Sequence, residues 1–469
     1  MQKNDLVGRL APFQQQHVLR FWDDLSPAGQ KRLAEQVLAL DLPLLARLFA
    51  GEQQHVDWVE VSRRAEPAPA VRIADRESTT GGKLGFTRAA AIARGKHALA
   101  AGEIGIVLVA GGQGSRLGFE HPKGMYPIGP VSKATLLQIH CEKVVALSRT
   151  YKATPLYLMT SPLTHEEQLD FLAKHNRFGL AEDDLVPFCQ GTMPAVDAAT
   201  GKLLLESRGA LFESPDGHGG MVAALAKSGA IDHMRRRGVK HLFYLQVDNP
   251  LVPIGDPEFI GYHLLAESEL TSMAVAKQEP MDKLGNFAMI DGKASIIEYS
   301  DFPRDVAEQR DATGGLKFWA GSIAVHMFGV AFLERMLSLK DALPFHIARK
   351  KVPHVGGDGK MVNPAEPNAL KFERFIFDLL PQAKNPLVVE FAEAEVFAPL
   401  KNAPGAPKDT EAYVHQFLLA QHAAWLRAVG ASVADGSRVE ISPLYALDAE
   451  QVKQRVKPGE QFGGDRYLR

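Results

Sequence analysis

A chain of 469 residues with 46% hydrophobic and 23% charged side chains is too long for one growing core. It is expected to carry a large central domain with attachments. Its 53 basic and 55 acidic residues leave a net charge of −2, which gives no bulk attraction for nucleic acid or an anionic membrane as the main partner.

Two cysteines, Cys141 and Cys189, form no disulfide framework and match no zinc-ligand spacing, so a reducing cytoplasm is the expected setting. The start, Met1-Gln2-Lys3-Asn4-Asp5-Leu6, lacks the apolar core of a signal peptide, and no apolar run reaches membrane-spanning length.

The first fifty residues predict helices. Val18, Leu19, Phe21, Trp22 and Leu25 recur at helical spacing, as do Leu33, Val37, Leu38 and Leu40, with Ser26-Pro27 as a start between them. Glu66-Pro67-Ala68-Pro69-Ala70 reads as a linker, and Ala89 to Ala101 as an alanine-rich helix. Short apolar runs then follow at Ile104–Ala110, Pro155–Thr160, Asp184–Cys189 and Leu242–Val247, with helical patterns near Ala134–Leu147, His165–Lys174 and Met221–Arg237 between them. This alternation predicts an α/β fold built on a doubly wound, mainly parallel sheet, with ligands at the carboxyl ends of its strands. Further strands are expected at Thr271–Lys277, Phe287–Ile290, Ser295–Tyr299 and Ile323–Phe328, some of them antiparallel. Beyond Pro399, the loop Asn402–Pro407 and a helix near Ala412–Val429 predict a smaller C-terminal lobe.

The most informative stretch is Val107-Leu108-Val109-Ala110-Gly111-Gly112-Gln113-Gly114-Ser115-Arg116-Leu117-Gly118, followed by Pro122-Lys123-Gly124. Glycines after a buried strand let backbone N–H groups approach an anion or a base, and Arg116 and Lys123 place positive charge where a polyphosphate would lie. A Walker A loop would need Lys-Ser or Lys-Thr opening a helix, and Lys123-Gly124 rejects it. A dinucleotide fingerprint fails by one residue of spacing, and Met159-Thr160-Ser161 lacks the acidic residue that would bind a ribose. A merely structural turn explains one or two glycines but not four with an Arg and Pro-Lys.

Asp248, in Val247-Asp248-Asn249, closes an apolar strand and stands where a carboxylate meets a ligand crevice, so it is a candidate Mg²⁺ ligand; the ordinary alternative is a cap on the next turn. Pro215-Asp216-Gly217-His218-Gly219-Gly220 precedes a helix, as ligand-binding loops and plain helix starts both do. Gln190, at a strand end, offers the donor and acceptor that would pair with uracil. His165-Glu166-Glu167 lacks a second His and reads as a helix start, and Arg235-Arg236-Arg237 as a cationic helix end.

Together these residues resemble the sugar-nucleotide uridylyltransferases, and within them the eukaryotic-type UDP-N-acetylglucosamine pyrophosphorylases. The likeness covers roughly residues 100–405 and includes Gln190-Gly191, Ile297-Glu298-Tyr299-Ser300, Ala320-Gly321, Leu370-Lys371, Phe375, Phe377-Asp378 and Pro399-Leu400-Lys401-Asn402. It implies a Rossmann-like fold of the nucleotide-diphospho-sugar transferase type, with a helical segment over residues 1–95, a nucleotidyltransferase domain over 96–398 and a lobe over 399–469. It further implies that UTP and a sugar 1-phosphate give a UDP-sugar and pyrophosphate with Mg²⁺ on Asp248; composition adds the expectation of the cytoplasm, without nucleic acid or membrane.

By resemblance, Arg116, Lys123 and Lys401 are catalytic, while Ala110, Gly111, Gly112, Lys123, Gln190, Gly217, Asp248 and Lys371 bind the nucleotide. His218, Gly285, Glu298, Tyr299, Ser322 and Lys401 hold the sugar and its phosphate. N-acetylglucosamine 1-phosphate is the expected sugar, although His218 and Ser322 both stand where that group generally has Asn. Glucose 1-phosphate or a broad range is the alternative, and a nucleotide-sugar binding module without catalysis is a reading from a different class.

Overall fold

The computed structural model describes residues 2–51, 57–78, 84–339 and 343–469. Its contacts divide the chain into two compact units, and the cuts fall elsewhere than at residues 95 and 398. The smaller joins Met1–Asp57, Gln190–Met221 and Asp341–Asp378; the larger joins Trp58–Cys189, Val222–Lys340 and Leu379–Arg469.

The larger unit is organised by one sheet. Its main strands are β1 (Ala70–Val71), β2 (Ile104–Val109), β3 (Leu156–Thr160), β4 (Leu185–Cys189), β5 (His241–Gln246), β6 (Leu270–Ala276), β7 (Gly285–Ile290), β8 (Lys293–Ile297), β9 (Ala320–Gly329) and β10 (Leu387–Glu390). The order across the sheet is β1-β10-β6-β9-β5-β2-β3-β4. β5, β2, β3 and β4 are mutually parallel, as their unbroken apolar runs predict for strands covered on both faces. β9 is the antiparallel member between β5 and β6, and it also pairs with β7 of the β7–β8 hairpin. The antiparallel strands expected beyond Val247 are this insertion.

Among the helices that contribute buried side chains to the core around this sheet are α1 (Arg88–Ala101), α2 (Leu136–Thr150), α3 (Pro257–Leu265) and α4 (Glu411–Ala428). Thr87, Thr135, Asp256 and Thr410 cap them by accepting a backbone N–H in the first turn. The helix expected over Met221–Arg237 is two, Met221–Lys227 and Ala230–Arg237, because Gly229 takes a left-handed conformation (φ +80°) at the break. The Arg235-Arg236-Arg237 run does end a helix, and Arg237 also pairs with Asp183 and Asp184. His165–Lys174 is a helix that begins at His165, as expected.

The stretch expected as a linker is partly strand. Glu66–Pro67 pairs with β7, and Ala70–Val71 is β1 beside β10. Proline, lacking an N–H, is tolerated at a sheet edge, and that is where these short strands lie. After Pro399 the chain forms α4 and a small core of Leu426, Val439, Ile441, Val452 and Phe462. No helix among the described residues is long and apolar enough to cross a membrane.

In the smaller unit, Ser26 caps Pro27–Ala39 as expected, but residues 16–24 form short 3₁₀ turns in place of an α-helix. Leu6, Leu10, Leu33, Val37 and Leu45 share one core with Leu203, Leu205, Leu211, Leu370 and Phe372, so the N-terminal helices belong with two later segments of the chain. Ala369–Glu373 is the middle strand of an antiparallel trio with His346–Lys350 and Val196–Asp197.

Candidate functional site

In the larger unit the glycine-rich loop leaves the carboxyl end of β2, flanked by β5 and β3. Its backbone is held from beneath: Ala110 donates to Met159 O (2.7 Å), Ala110 O accepts from Gln168 Nε2 (2.9 Å), and Gly111 O accepts from Ser161 Oγ (2.8 Å). Gly114 donates to His121 O, and a Cβ there would lie 2.8 Å from Phe119 O, so this glycine is required by the protein itself. A Cβ on Gly112 would meet nothing within 4 Å. Gly112 is exposed and Gly111 half-buried, and Arg116 is exposed without an ion pair among the described residues.

The loop returns through Lys123, whose N–H bonds Gly112 O at 3.0 Å. Lys123 Nζ lies 3.9 Å from Asp248 Oδ2. Asp248 is 8% exposed and sits just past β5. The Asp248 carboxylate accepts no hydrogen bond among the described residues, and at 3.9 Å the Lys123 ammonium compensates its buried charge only loosely, which leaves room for a further cation. Its neighbour Asn249 is fully committed to structure: Nδ2 donates to Val396 O, and Oδ1 accepts from Leu251 and Ala398. Leu400 donates to Asp248 O, which brings the 399–402 segment to this strand end.

Lys401 donates its backbone N–H to Asp409 O at 2.8 Å. Burial holds the Asp409 carboxyl above its ordinary range; Lys401 opposes the rise and Asp248 adds to it. Asp409 therefore belongs to the same charged neighbourhood. Sequence reading missed it because it carries no motif and reaches the site only by the fold of the 401–409 loop. No group of three or more His, Cys, Asp or Glu suited to a metal occurs among the described residues. Asp248 is a single carboxylate, which is what Mg²⁺ uses when substrate phosphates and water complete its shell.

The sugar candidates on this unit converge at the β7–β9 pairing. Gly285 is the register partner of Ser322, and a Cβ on Gly285 would lie 3.7 Å from Ser322 Cβ and 3.8 Å from Glu298 Oε1. Ser322 Oγ bonds within its own strand, where β9 shifts register against β6, accepting from Ala324 N at 3.4 Å. Tyr299 is exposed.

In the smaller unit, Gln190 is buried, and its amide forms no hydrogen bond among the described residues. The 215–220 loop is locked to Arg374: Arg374 N donates to Asp216 O, and Gly219 N to Arg374 O, both at 2.8 Å. Gly217 combines a φ of +84° with a Cβ position only 2.3 Å from Arg374 O, so no other residue fits.

His218 Nδ1 accepts from Ile376 N at 3.2 Å, which puts the neutral ring's proton on Nε2. The ring stacks on Phe375 (5.4 Å between centroids, 24°), and burial with His346 nearby pushes its pKa down to about 4. His218 is thus a neutral Nε2–H donor, a property no sequence pattern carries. Lys371 Nζ lies over the Phe212 ring at 4.9 Å, and burial lowers its pKa.

Residues 49–462 match the family model described as UTP–glucose-1-phosphate uridylyltransferase, and the chain belongs to that family of nucleotidyltransferases. It is 36% identical over 451 residues to the UDP-N-acetylhexosamine pyrophosphorylase-like protein 1 of Xenopus tropicalis, covering 93% of this chain and 87% of that one. It is 38% identical over 370 residues to the UDP-N-acetylglucosamine pyrophosphorylase of Saccharomyces cerevisiae, covering 77% of each. Among solved structures, that of the Trypanosoma brucei uridine diphosphate N-acetylglucosamine pyrophosphorylase in complex with an inhibitor superposes with a TM-score of 0.81 at 27% identity. The match covers 100% of this chain and 98% of that one.

Proposed function

We propose that the chain makes UDP-N-acetylglucosamine and pyrophosphate from UTP and N-acetylglucosamine 1-phosphate. The observation that carries the reading is a glycine loop open at Gly112, closing through Lys123 onto the buried carboxylate of Asp248, which Lys123 faces at 3.9 Å. A phosphate oxygen of the sugar 1-phosphate attacks the α-phosphorus of UTP in line, and pyrophosphate leaves on the opposite side. Such a transfer needs positioning and charge neutralisation, not a covalent intermediate.

The loop backbone at Ala110–Gly112 binds the nucleotide, while Arg116 and Lys123 hold the leaving pyrophosphate. Lys401 and Lys371 receive the remaining phosphate charge, and Gln190 and Gly217 read the uracil side. Asp248 is the residue that would hold Mg²⁺, which when bound neutralises phosphate charge. Glu298, Gly285, Tyr299, Ser322 and His218 orient the sugar.

His218 departs less than its name suggests from the Asn that the resemblance leads one to expect, because its Nε2–H keeps a donor where an amide would offer one. Ser322 is the real departure: it supplies no amide beside Gly285 and Glu298. One contact of that kind is worth about 1–3 kcal/mol, so glucose 1-phosphate is the second reading. Pyrophosphate release from UTP, measured with N-acetylglucosamine, N-acetylgalactosamine, glucose and galactose 1-phosphates, tests both. The proposal expects the highest kcat/KM with N-acetylglucosamine 1-phosphate. A preference for glucose 1-phosphate above about tenfold (~1.4 kcal/mol) replaces it with the second reading.

A further inference from the structure

The larger unit contains a cavity of about 140 Å³ that the proposed reaction does not use. It is walled by Leu147 of α2, Leu418, His422 and Trp425 of α4, and Ile441, and Lys143 of α2 reaches into its lining. An engineered cavity of about 150 Å³ takes one benzene ring, so a single ring sets the size of an occupant.

Its chemistry is set by Lys143. The ammonium donates to two neutral carbonyls, Pro250 O (2.5 Å) and Val252 O (2.8 Å), and no carboxylate pairs with it among the described residues. Burial without a counter-charge pushes its pKa down to about 7. The acidic residues of the lining are engaged elsewhere. Glu440 accepts from Val131 N, Ser132 N and Ser132 Oγ, Asp256 from Phe259 N, and Asp448 from Gln451 N. Beside the amine, His422 accepts Ile441 N–H on Nδ1, leaving Nε2–H as a second donor. Apolar walls, a one-ring volume and an uncompensated buried cation define the missing complement.

We propose that this cavity is a regulatory site for a small single-ring carboxylate, whose anion pairs with Lys143. The regulatory part rests on Asp248 as the residue that holds the metal in the proposed reaction. α2 fastens the segment after β5 at three points: His140 Nε2 to Val247 O (3.0 Å), and Lys143 to the carbonyls of Pro250 and Val252. A ligand carboxylate that draws the amine away from those carbonyls loosens the segment that begins at Asp248, and turnover falls.

Calorimetric titration of the full chain with phenylacetate, against its neutral amide phenylacetamide, tests the site without any mutation. The carboxylate should bind at one site at least about tenfold (~1.4 kcal/mol) tighter than the amide. Equal affinities, or no heat with phenylacetate, overturn the proposal. Leu418→Trp, which adds bulk to the α4 wall and leaves Lys143 itself unchanged, should abolish the heat; undiminished binding by that variant overturns the location. Saturating phenylacetate should lower kcat at saturating UTP, and an unchanged kcat overturns the coupling to Asp248. The titration needs no substrate, so failure of the uridylyltransferase reading would leave its outcome intact and distinguishable.

Discussion

Gly112 and Gly114 stand two residues apart in one loop and answer to different demands. Alanine at 114 meets the Phe119 ring at 2.7 Å and two carbonyl oxygens below 3.0 Å, an overpacking worth about 1–3 kcal/mol, so Gly114→Ala should lower the unfolding midpoint. Alanine at 112 meets nothing in the protein. Gly112→Ala should therefore unfold at the native temperature and yet raise KM for UTP by about tenfold (~1.4 kcal/mol) or more, because its methyl group occupies the ground the nucleotide needs. Thermal unfolding and initial rates on the two variants separate a glycine kept for the fold from one kept for the ligand; equal midpoints would refute the division. Lys123→Ala and Asp248→Asn should each cost on the order of 10²-fold in kcat at saturating UTP if they act on the transition state. This loop is legible in the sequence because four glycines and two cations cluster within a short stretch. The donor state of His218 is not, since it depends on Ile376 N–H, far along the chain, and the place of Asp409 depends on a loop with no motif.

Elements are most legible where both faces of a strand are buried. β2, β3 and β5 lie within a residue or so of their expected ends, since an unbroken apolar run of that length suits little besides a strand covered on both sides; β4, half-buried at the end of the sheet, is placed as closely by its Leu185–Cys189 run alone. The misread segments are those in which local propensity yields to tertiary pairing: Pro67 and Ala70 in edge strands, and residues 16–24 in 3₁₀ turns set by the smaller unit's core. The contact of α1 with α3 leaves no signal beyond two glycines. A Cβ on Gly95 would lie 1.9 Å from Pro257 O, and one on Gly261 would lie 1.8 Å from Ala91 O, so the two backbones touch at both points. In an exposed helix, Gly→Ala gains roughly 0.5–1 kcal/mol. Here the clash is with backbone and cannot be relieved by a rotamer change, so Gly261→Ala should destabilise by about 1–3 kcal/mol despite that gain. A urea midpoint equal to or above the native one would show that the helices slide apart at no cost.

Across the whole molecule, the sequence carries no sign that residues 1–57 fold with 190–221 and 341–378, because chain order says nothing of which distant segments share a core. The larger unit also collects buried histidines that a composition count cannot tell from exposed ones. Burial pushes His140 and His422 down to about 3 and His241 to about 4, and holds His263 well below its ordinary value. Unfolded, all four titrate near 6.5. Between pH 6.5 and about 4 the unfolded unit therefore holds protons that the folded unit refuses, and stability present above pH 6.5 is lost as the pH falls. Asp256 works in the opposite sense: burial raises its folded pKa to about 6, so at pH 5 it holds a proton when folded and releases it on unfolding. Asp409 and Glu393, also raised by burial, act with Asp256, and His415, lowered by burial, acts with the four imidazoles; uptake prevails, each net proton worth about 1.4 kcal/mol per pH unit. The urea midpoint of the larger unit's transition should fall steeply between pH 6.5 and pH 5. A flat or rising midpoint over that interval would mean that these imidazoles gain protons in the folded chain, and with them a charge that the packing around α2, α3 and α4 leaves no room to solvate.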